Sequence, residues 1–219
     1  GMTSLAEETF TITVNPVNDT PEVIVTGLLE ADEDADFPFP GEIVINNKHV
    51  DYGSDYSQAY YTIYDLDVHD DYAIMGVQQE NSNKGAAYIF EKIEGTWTQV
   101  TRLAPNDPVS SHYFGCSAAI YGDLAIVGAY GDDTEGSDAG AAYVFTRDIE
   151  GTWSQTAKLT AEDGYTSDNF SKGNSAISLY ENYALIGAYR NDDGGSSSGS
   201  AYLFEYEGSS WTEVAKLIA

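Results

Sequence analysis

Positive charge is scarce in this sequence, and cysteine is almost missing. Only 9 Lys and Arg residues stand against 36 Asp and Glu residues, which gives a formal net charge of −27 over 219 residues. A surface of that sign repels phosphate backbones and anionic lipids, so we expect no nucleic-acid partner. The single cysteine, Cys116, excludes an internal disulfide framework and a zinc site built from several cysteines.

Long apolar segments are missing as well. No stretch of 18 uncharged apolar residues occurs, so we expect no direct insertion into a membrane. The first residues, GMTSLAEETF, show no basic start followed by an apolar segment, and we predict no signal peptide in this sequence. The Gly before Met is typical of an expression tag, and we interpret the sequence as a fragment of a longer secreted protein.

Aromatic residues and glycine, in contrast, are abundant. The 17 Tyr, 8 Phe and 21 Gly residues favour strands joined by tight turns, and 42% apolar residues are enough for a core. The dense negative charge of a compact body repels itself, and bound cations or a saline environment relieve that repulsion. The composition therefore favours an extracellular protein that is stabilised by Ca²⁺.

A repeat dominates the chain from about residue 51 onward. One apolar motif occurs three times: GAAYIF (85–90), GAAYVF (140–145) and GSAYLF (199–204). Its first glycines are 55 and 59 residues apart, and Trp97, Trp153 and Trp211 follow at spacings of 56 and 58. We therefore predict three repeats, at about 51–105, 106–162 and 163–219.

Each repeat has the period of β-strands. In the second repeat, SAAIYGDLAIVGA is typical of two strands around a two-residue turn at Gly122-Asp123. The alternation in AAYVFT places Tyr143 and Phe145 on one face and Val144 on the other. Four short antiparallel strands per repeat, without a helical period, predict an all-β fold made of β-propeller blades.

The first 50 residues differ from the repeats. We interpret residues 1–23 as a terminal strand, TFTITV, with an exit linker, and 24–50 as an acidic linker or partial blade. Asp32, Asp34 and Asp36 alternate as at the start of a calcium loop, but Phe37 stands where that loop needs its turn glycine. A plain acidic linker is therefore the alternative for this segment.

The repeat resembles the FG-GAP repeat family in its bacterial branch. The order of F-G, hairpin, VGA, Asp-rich loop, GAAYVF and a Trp-centred strand is fullest in the second repeat, at 112–159. The resemblance implies a β-propeller like the integrin α-subunit head, extracellular adhesion or ligand binding, and calcium in blade loops. Separately, TFTITVNPVNDTPEV (9–23) is similar to the last strand and exit linker of bacterial cadherin-like modules.

Two acidic, glycine-rich loops are candidate metal sites, because a hard cation takes oxygen ligands from loops that curl around it. The candidate ligands are Asp132, Asp133, Glu135 and Asp138 in the second repeat, and Asn191, Asp192 and Asp193 in the third. The loop of the first repeat, QQENSNKG, offers the fewest ligands. The alternative is an acidic turn that is only solvated.

Other residues are weaker candidates. Tyr130 and Tyr189 follow the VGA and IGA strands and are candidate ligand contacts, whereas the recurring tryptophans indicate inter-blade core or, alternatively, a sugar platform. Ser197 in GSSSG matches G-x-S-x-G, but its low-complexity loop lacks the strand-to-helix turn of a nucleophile elbow. Cys116 is expected to be a small buried residue.

These patterns predict a binding or adhesion module of a secreted or surface-anchored bacterial protein, with an extracellular protein or glycan as ligand and no enzymatic activity. The alternatives are a structural spacer without its own ligand, or a propeller-fold polysaccharide lyase or hydrolase. Propellers have about 4 to 8 blades, and three repeats fall short of that number. We therefore expect a homo-oligomer formed through open blade faces, with TFTITV at the interface.

Overall fold

The computed structural model of the protein describes residues 63–218, and the structural statements below concern that part of the chain. The predictions for TFTITV, for the Asp32–Asp36 segment and for the boundaries near 23 and 50 lie outside it. Its one helical segment is α1 (Glu80–Asn83), in which Asn81 and Ser82 have positive φ. None of the described helical residues forms a segment long and apolar enough to cross a membrane.

Twelve described strands form three antiparallel sheets of four, each in chain order. The first sheet is β1 (Asp65–His69), β2 (Tyr72–Val77), β3 (Ala86–Ile93) and β4 (Thr96–Leu103). The second is β5 (Phe114–Tyr121), β6 (Leu124–Ala129), β7 (Ala141–Arg147) and β8 (Trp153–Leu159). The third is β9 (Ile177–Tyr180), β10 (Tyr183–Ala188), β11 (Ser200–Tyr206) and β12 (Trp211–Ile218). We call the sheets blades 1, 2 and 3, because this confirms the predicted all-β fold of four-stranded blades.

The predicted two-residue turns are also confirmed. Tyr121 pairs with Leu124 across Gly122-Asp123, and Gly122 has a φ of 57°. The corresponding turn residues of the other blades, Asp70 and Glu181, have φ of 52° and 53°. A positive φ at the first turn residue matches the right-handed twist of the two flanking strands, which is why such turns close hairpins.

The blades pack face to face through two apolar clusters. The first strands lie side by side, β1 against β5 and β5 against β9, as the innermost strands of a propeller do. Tyr143 and Phe145 face blade 1, whereas Val144 faces blade 3. The predicted division of AAYVFT into two faces is therefore confirmed, and both faces of blade 2 are buried.

Two glycines allow the blades to approach closely. Gly85 and Gly140 precede β3 and β7 with φ of 79° and 92°, which L-residues rarely adopt. A Cβ on Gly85 would lie 1.7 Å from the carbonyl oxygen of Phe114, and one on Gly140 would lie 2.3 Å from that of Phe170. Each glycine thus receives the backbone of the aromatic residue that opens the next blade.

The tryptophans belong to the packed part of the blades. Trp97 is buried, Trp153 packs against the cluster between blades 1 and 2, and Trp211 packs against the cluster between blades 2 and 3. The interpretation as inter-blade core is therefore confirmed for Trp153 and Trp211, and Trp97 is buried and not an exposed sugar platform.

Cys116 is buried, as the sequence predicted, and its Sγ lies 3.2 Å from the carbonyl oxygen of Ser171. Burial raises the pKa of its thiol to about 11. We expect no reaction with an aromatic disulfide reagent near pH 8 in the native protein and full reaction in denaturant, followed by absorbance. Rapid labelling of the native protein would contradict this burial.

Candidate functional site

Asp132 is the centre of a buried polar cluster in blade 2, although the sequence predicted it as a calcium ligand. Its side chain is fully buried. Its Oδ2 accepts a hydrogen bond from the Tyr143 hydroxyl at 2.7 Å and lies 2.8 Å from Lys158 Nζ. Its Oδ1 accepts from the backbone N–H and the hydroxyl of Thr134. Both carboxylate oxygens therefore already have donors.

The other two blades contain the same arrangement. In blade 1 the Tyr88 hydroxyl donates to Glu80, whose other oxygen accepts from Arg102 at 2.5 Å and 2.9 Å. In blade 3 the carboxyl is that of Asp163, which accepts from Tyr202 at 2.9 Å and from Lys216 at 2.5 Å. Lys216 also pairs with Asp193 of the acidic loop.

The strand register explains this repetition. Each tyrosine lies on the third strand of its blade, directly opposite the basic residue of the fourth strand. Directly opposed side chains project from the same face of a sheet, so each pair meets a carboxylate that lies outside the strands. We call each set of three a tyrosine–acid–base cluster: Tyr88, Glu80 and Arg102; Tyr143, Asp132 and Lys158; Tyr202, Asp163 and Lys216.

The contacts within each cluster change the pKa values of its side chains. Burial raises the pKa of Asp132, but hydrogen bonds from Lys158, Thr134 and Tyr143 outweigh it and hold that pKa below its usual value. Asp163 has a lowered pKa for the same reason, with Lys216 and Tyr202 as donors. Burial and the neighbouring Glu80 raise the pKa of Tyr88 to about 12, so its hydroxyl stays protonated and donates.

The remaining predicted metal ligands do not converge. Asp133 and Asp138 are exposed, and the Asp133 side chain accepts the backbone N–H of Asp138 at 2.8 Å. Glu135 is exposed and accepts from Thr160. In blade 3 Asn191 is buried and bonds Ser200 and Asp168, whereas Asp192 is exposed and accepts from Ser197. Within residues 63–218, no three Asp, Glu, His or Cys side chains are grouped so as to hold a metal ion.

As placed, the acidic loops do not fit a calcium ion, which takes about 6 to 8 oxygen ligands. The carboxylates of Asp132 and Asp193 already pair with a lysine ammonium. Calcium binding by these loops stays a prediction from the sequence.

Sequence reasoning missed the basic residues and tyrosines of the clusters, and it missed Glu80 and Asp163. A signal for the basic residues was available, because Arg102, Lys158 and Lys216 each stand five positions after the tryptophan of their repeat. They are three of only nine Lys and Arg residues in the chain. A scarce residue type that recurs at one position indicates a specific role.

Tyr130 and Tyr189, the predicted ligand contacts, belong to a second group of side chains between blades 2 and 3. The rings of Tyr113 and Tyr130 stack with centroids 4.7 Å apart. Lys172 Nζ lies 4.1 Å from the Tyr130 ring and 5.5 Å from the Tyr189 ring, and Arg190 lies over Tyr189 at 5.4 Å. We call these five residues the tyrosine–lysine patch.

The patch combines accessible aromatic surface with positive charge. Tyr189 is 44% exposed and Arg190 is exposed, whereas Lys172 is half-buried. Among the described residues neither Lys172 nor Arg190 forms an ion pair, in contrast to Arg102, Arg147, Lys158 and Lys216. Both charges therefore remain available to a ligand in an otherwise acidic protein.

Ser197 and the described histidines form no catalytic group. Ser197 is exposed in its loop, and its backbone N–H donates to Asp192. His69 accepts the N–H of Gly122 at 3.1 Å and thereby joins blades 1 and 2, while His112 lies 3.4 Å from Asp132. Over residues 63–218, neither imidazole is hydrogen-bonded to a serine or cysteine that could act as a nucleophile.

The comparison with protein families agrees with the predicted repeat. Residues 97–145 and 153–204 match the family model of the FG-GAP repeat. Among solved structures the chain is similar to Sqt1 from Chaetomium thermophilum, with 10% sequence identity, a TM-score of 0.45 and 73% of this chain covered. The similar part spans 37% of the Sqt1 chain. No curated protein matches the sequence.

FG-GAP repeats are typically extracellular modules with a binding or structural role. The two matched segments begin at the tryptophan strands of blades 1 and 2 and extend through the AAYVF and SAYLF strands of the following blades. Residues 97–145 and 153–204 are thus similar to the FG-GAP repeat, and they fold here as strands of β-propeller blades.

Proposed function

We propose that this protein is a binding and adhesion module of a secreted or surface-anchored bacterial protein, that it is not an enzyme, and that its ligand is an acidic glycan. The observation that carries the proposal is the tyrosine–lysine patch. The similarity of residues 9–23 to the exit of bacterial cadherin-like modules supports the bacterial cell surface as its location.

The chemistry of the patch favours a sugar that carries negative charge. An exposed tyrosine ring offers a flat apolar face to the C–H groups of a pyranose. Lys172 and Arg190 lie over the same rings and supply donors for a carboxylate or sulfate, and such charge-assisted hydrogen bonds are about twice as strong as neutral ones. A neutral glycan would use only the ring.

The charge of the protein also limits where an anionic ligand can bind. The net charge of −27 repels polyanions from most of the surface. An acidic glycan therefore binds only where unpaired cations are concentrated, and its affinity falls with rising salt. A neutral ligand would show no such dependence.

Titration calorimetry with an oligogalacturonate and with a neutral maltooligosaccharide of equal length tests the proposal. We expect binding of the acidic chain only, and an affinity loss of about tenfold or more for Lys172→Gln and Tyr189→Ala. Lys92→Gln is the matched control, because it removes the same charge from β3, away from the patch. Unchanged affinity in Lys172→Gln would contradict the assignment of the patch.

The alternatives predict different results in the same experiment. A structural spacer would bind neither sugar, nor any extracellular protein in a binding screen. A polysaccharide lyase or hydrolase would shorten the oligogalacturonate, which chromatography of the mixture detects.

A further inference from the structure

A cleft of about 430 Å³ lies between blades 1 and 2, and we call it the blade 1–2 cleft. Blade 1 lines it with Tyr72, Glu91 and Val100, and blade 2 with Asp123, Arg147, Trp153 and the turn 148–151 between β7 and β8. Asp123 belongs to the turn before β6, whereas Tyr130 of the tyrosine–lysine patch follows β6. The cleft and the patch therefore lie at opposite ends of this strand.

Arg147 is the cation of this cleft, and it is already paired. Its guanidinium lies 4.1 Å from the centre of the Tyr72 ring and forms an ion pair with Asp123. The Tyr72 hydroxyl in turn donates to Glu91 at 2.6 Å. Arg147 therefore covers the ring of Tyr72 and balances the charge of Asp123.

The other carboxylates of the cleft are not balanced. Among the described residues Glu91, Asp148 and Glu150 form no ion pair. Asp148 Oδ1 accepts the backbone N–H groups of Glu150 and Thr152 at 2.9 and 2.8 Å, which fixes the turn that carries Glu150. Because the whole chain also carries a net charge of −27, the ligand that complements this cleft is a cation.

The repeated fold does not require the polar groups of the cleft. Tyr72 begins the second strand of blade 1 and pairs with Glu91, just as Leu124 begins the second strand of blade 2 and pairs with Thr146. The contact between blades 2 and 3 is thus made with an apolar and a neutral residue at these two positions. The charge of Glu91 is therefore specific to the blade 1–2 cleft and is not needed for blade packing.

Apolar side chains next to the carboxylates indicate which cation fits. Ile149, in the turn between β7 and β8, is fully exposed, and Val100 is 41% exposed. A lysine side chain matches this combination, because its methylene stem covers apolar surface while its ammonium remains at a polar site. The compact ammonium has three donors that several carboxylates can share. The ring of Tyr72, on which a second guanidinium would stack, is already covered by Arg147.

We propose that the blade 1–2 cleft binds a lysine side chain of a partner protein. The ammonium pairs with Glu91 and Glu150, and the methylene groups contact Ile149 and Val100. This site is independent of the proposed glycan ligand, which uses the tyrosine–lysine patch at the other end of β6. The module thus offers an acidic surface to a basic protein and a basic patch to an acidic glycan.

Fluorescence anisotropy of a dye-labelled hexalysine peptide, in about 0.15 M NaCl, tests the proposal. We expect Glu91→Gln and Glu150→Gln each to weaken binding by about fivefold, since each removes a charged acceptor and keeps the shape of the side chain. Ile149→Ala should weaken binding by about threefold through lost apolar contact, without any change of charge. Glu150 and Ile149 are exposed, so these two variants keep the fold.

Glu94→Gln is the matched control, because Glu94 has the place of Glu150 in the corresponding turn of blade 1, is exposed and does not line the cleft. A general attraction of hexalysine to the acidic chain would fall equally in Glu94→Gln and Glu150→Gln and would not change in Ile149→Ala. Equal losses in the two glutamate variants, or unchanged binding in Ile149→Ala, would overturn the proposal. Lys172→Gln should not weaken peptide binding, so a failure of the glycan proposal is seen separately.

Discussion

Asp132→Asn is expected to lower the free energy of unfolding by about 3 kcal/mol, since removing one partner of a buried charge pair leaves the other uncompensated. The substitution keeps the shape of the side chain but removes the charge that Lys158 and Tyr143 hydrogen-bond. Lys158 is 25% exposed and recovers part of its solvation, which places the cost at the lower end of the range for such pairs. Urea denaturation followed by tryptophan fluorescence measures it.

Asp133→Asn is the matched control for this prediction. It makes the same charge change in the neighbouring residue, but Asp133 is exposed, so we expect an effect within about 0.5 kcal/mol. A calcium site that used both aspartates would lose stability in both variants when calcium is present. If millimolar calcium raises the melting temperature more than sodium chloride of equal ionic strength, the predicted calcium site gains support over the lysine.

The stabilisation by Asp132 has a defined pH dependence. Its pKa in the folded protein lies below the value of about 3.9 in an unfolded chain. The ionised form is therefore favoured by folding, and its contribution is present above about pH 4 and is lost as the pH falls through the folded pKa. The difference in stability between wild type and Asp132→Asn should accordingly narrow in acid, as denaturation curves at several pH values will show.

Gly140→Ala is expected to cost about 4 kcal/mol and to separate blade 2 from blade 3. An alanine at a φ of 92° is strained by about 1 to 3 kcal/mol. Its Cβ would also lie 2.3 Å from the Phe170 carbonyl oxygen, and forcing atoms into a packed interface adds about 1 to 3 kcal/mol. Thermal and urea denaturation measure the loss, and resistance to proteolysis should fall with it.

Gly199→Ala is the matched control for Gly140→Ala. The difference between the two losses measures the clash with the neighbouring blade, because both variants share the backbone strain. Gly199 has a φ of 83°, so alanine suffers similar backbone strain, but its nearest contact is 3.3 Å away within its own blade. We therefore expect a loss of only about 1 to 3 kcal/mol for this variant. Equal losses at both glycines would contradict the close packing of blade 3 against Gly140.

The repeats made much of the fold predictable. Alternation along AAYVFT assigned Tyr143 and Val144 to opposite faces, and Gly122-Asp123 marked a turn, because strands and two-residue turns depend on local geometry. The buried state of Cys116 and the packing of the tryptophans followed from their recurring positions in the aligned repeats.

The partners of the charged groups were not predictable in the same way. Asp132 and Asp133 are neighbours in one acidic loop, yet one is fully buried against Lys158 and the other is exposed. Glu80 comes from the loop with the fewest predicted ligands, and Asp163 lies outside the acidic loops altogether. Acidic composition shows that carboxylates are present but leaves open which donors they meet.

The sequence by itself determined the blade, because the period of apolar residues, the turn residues and the small residues act within one repeat of about 55 to 59 residues. Only the tertiary structure decided that Lys158 binds Asp132 and that Lys172 lies between Tyr130 and Tyr189. These contacts join residues from different strands, loops and blades. Their energies depend on distance and burial, which no local pattern specifies.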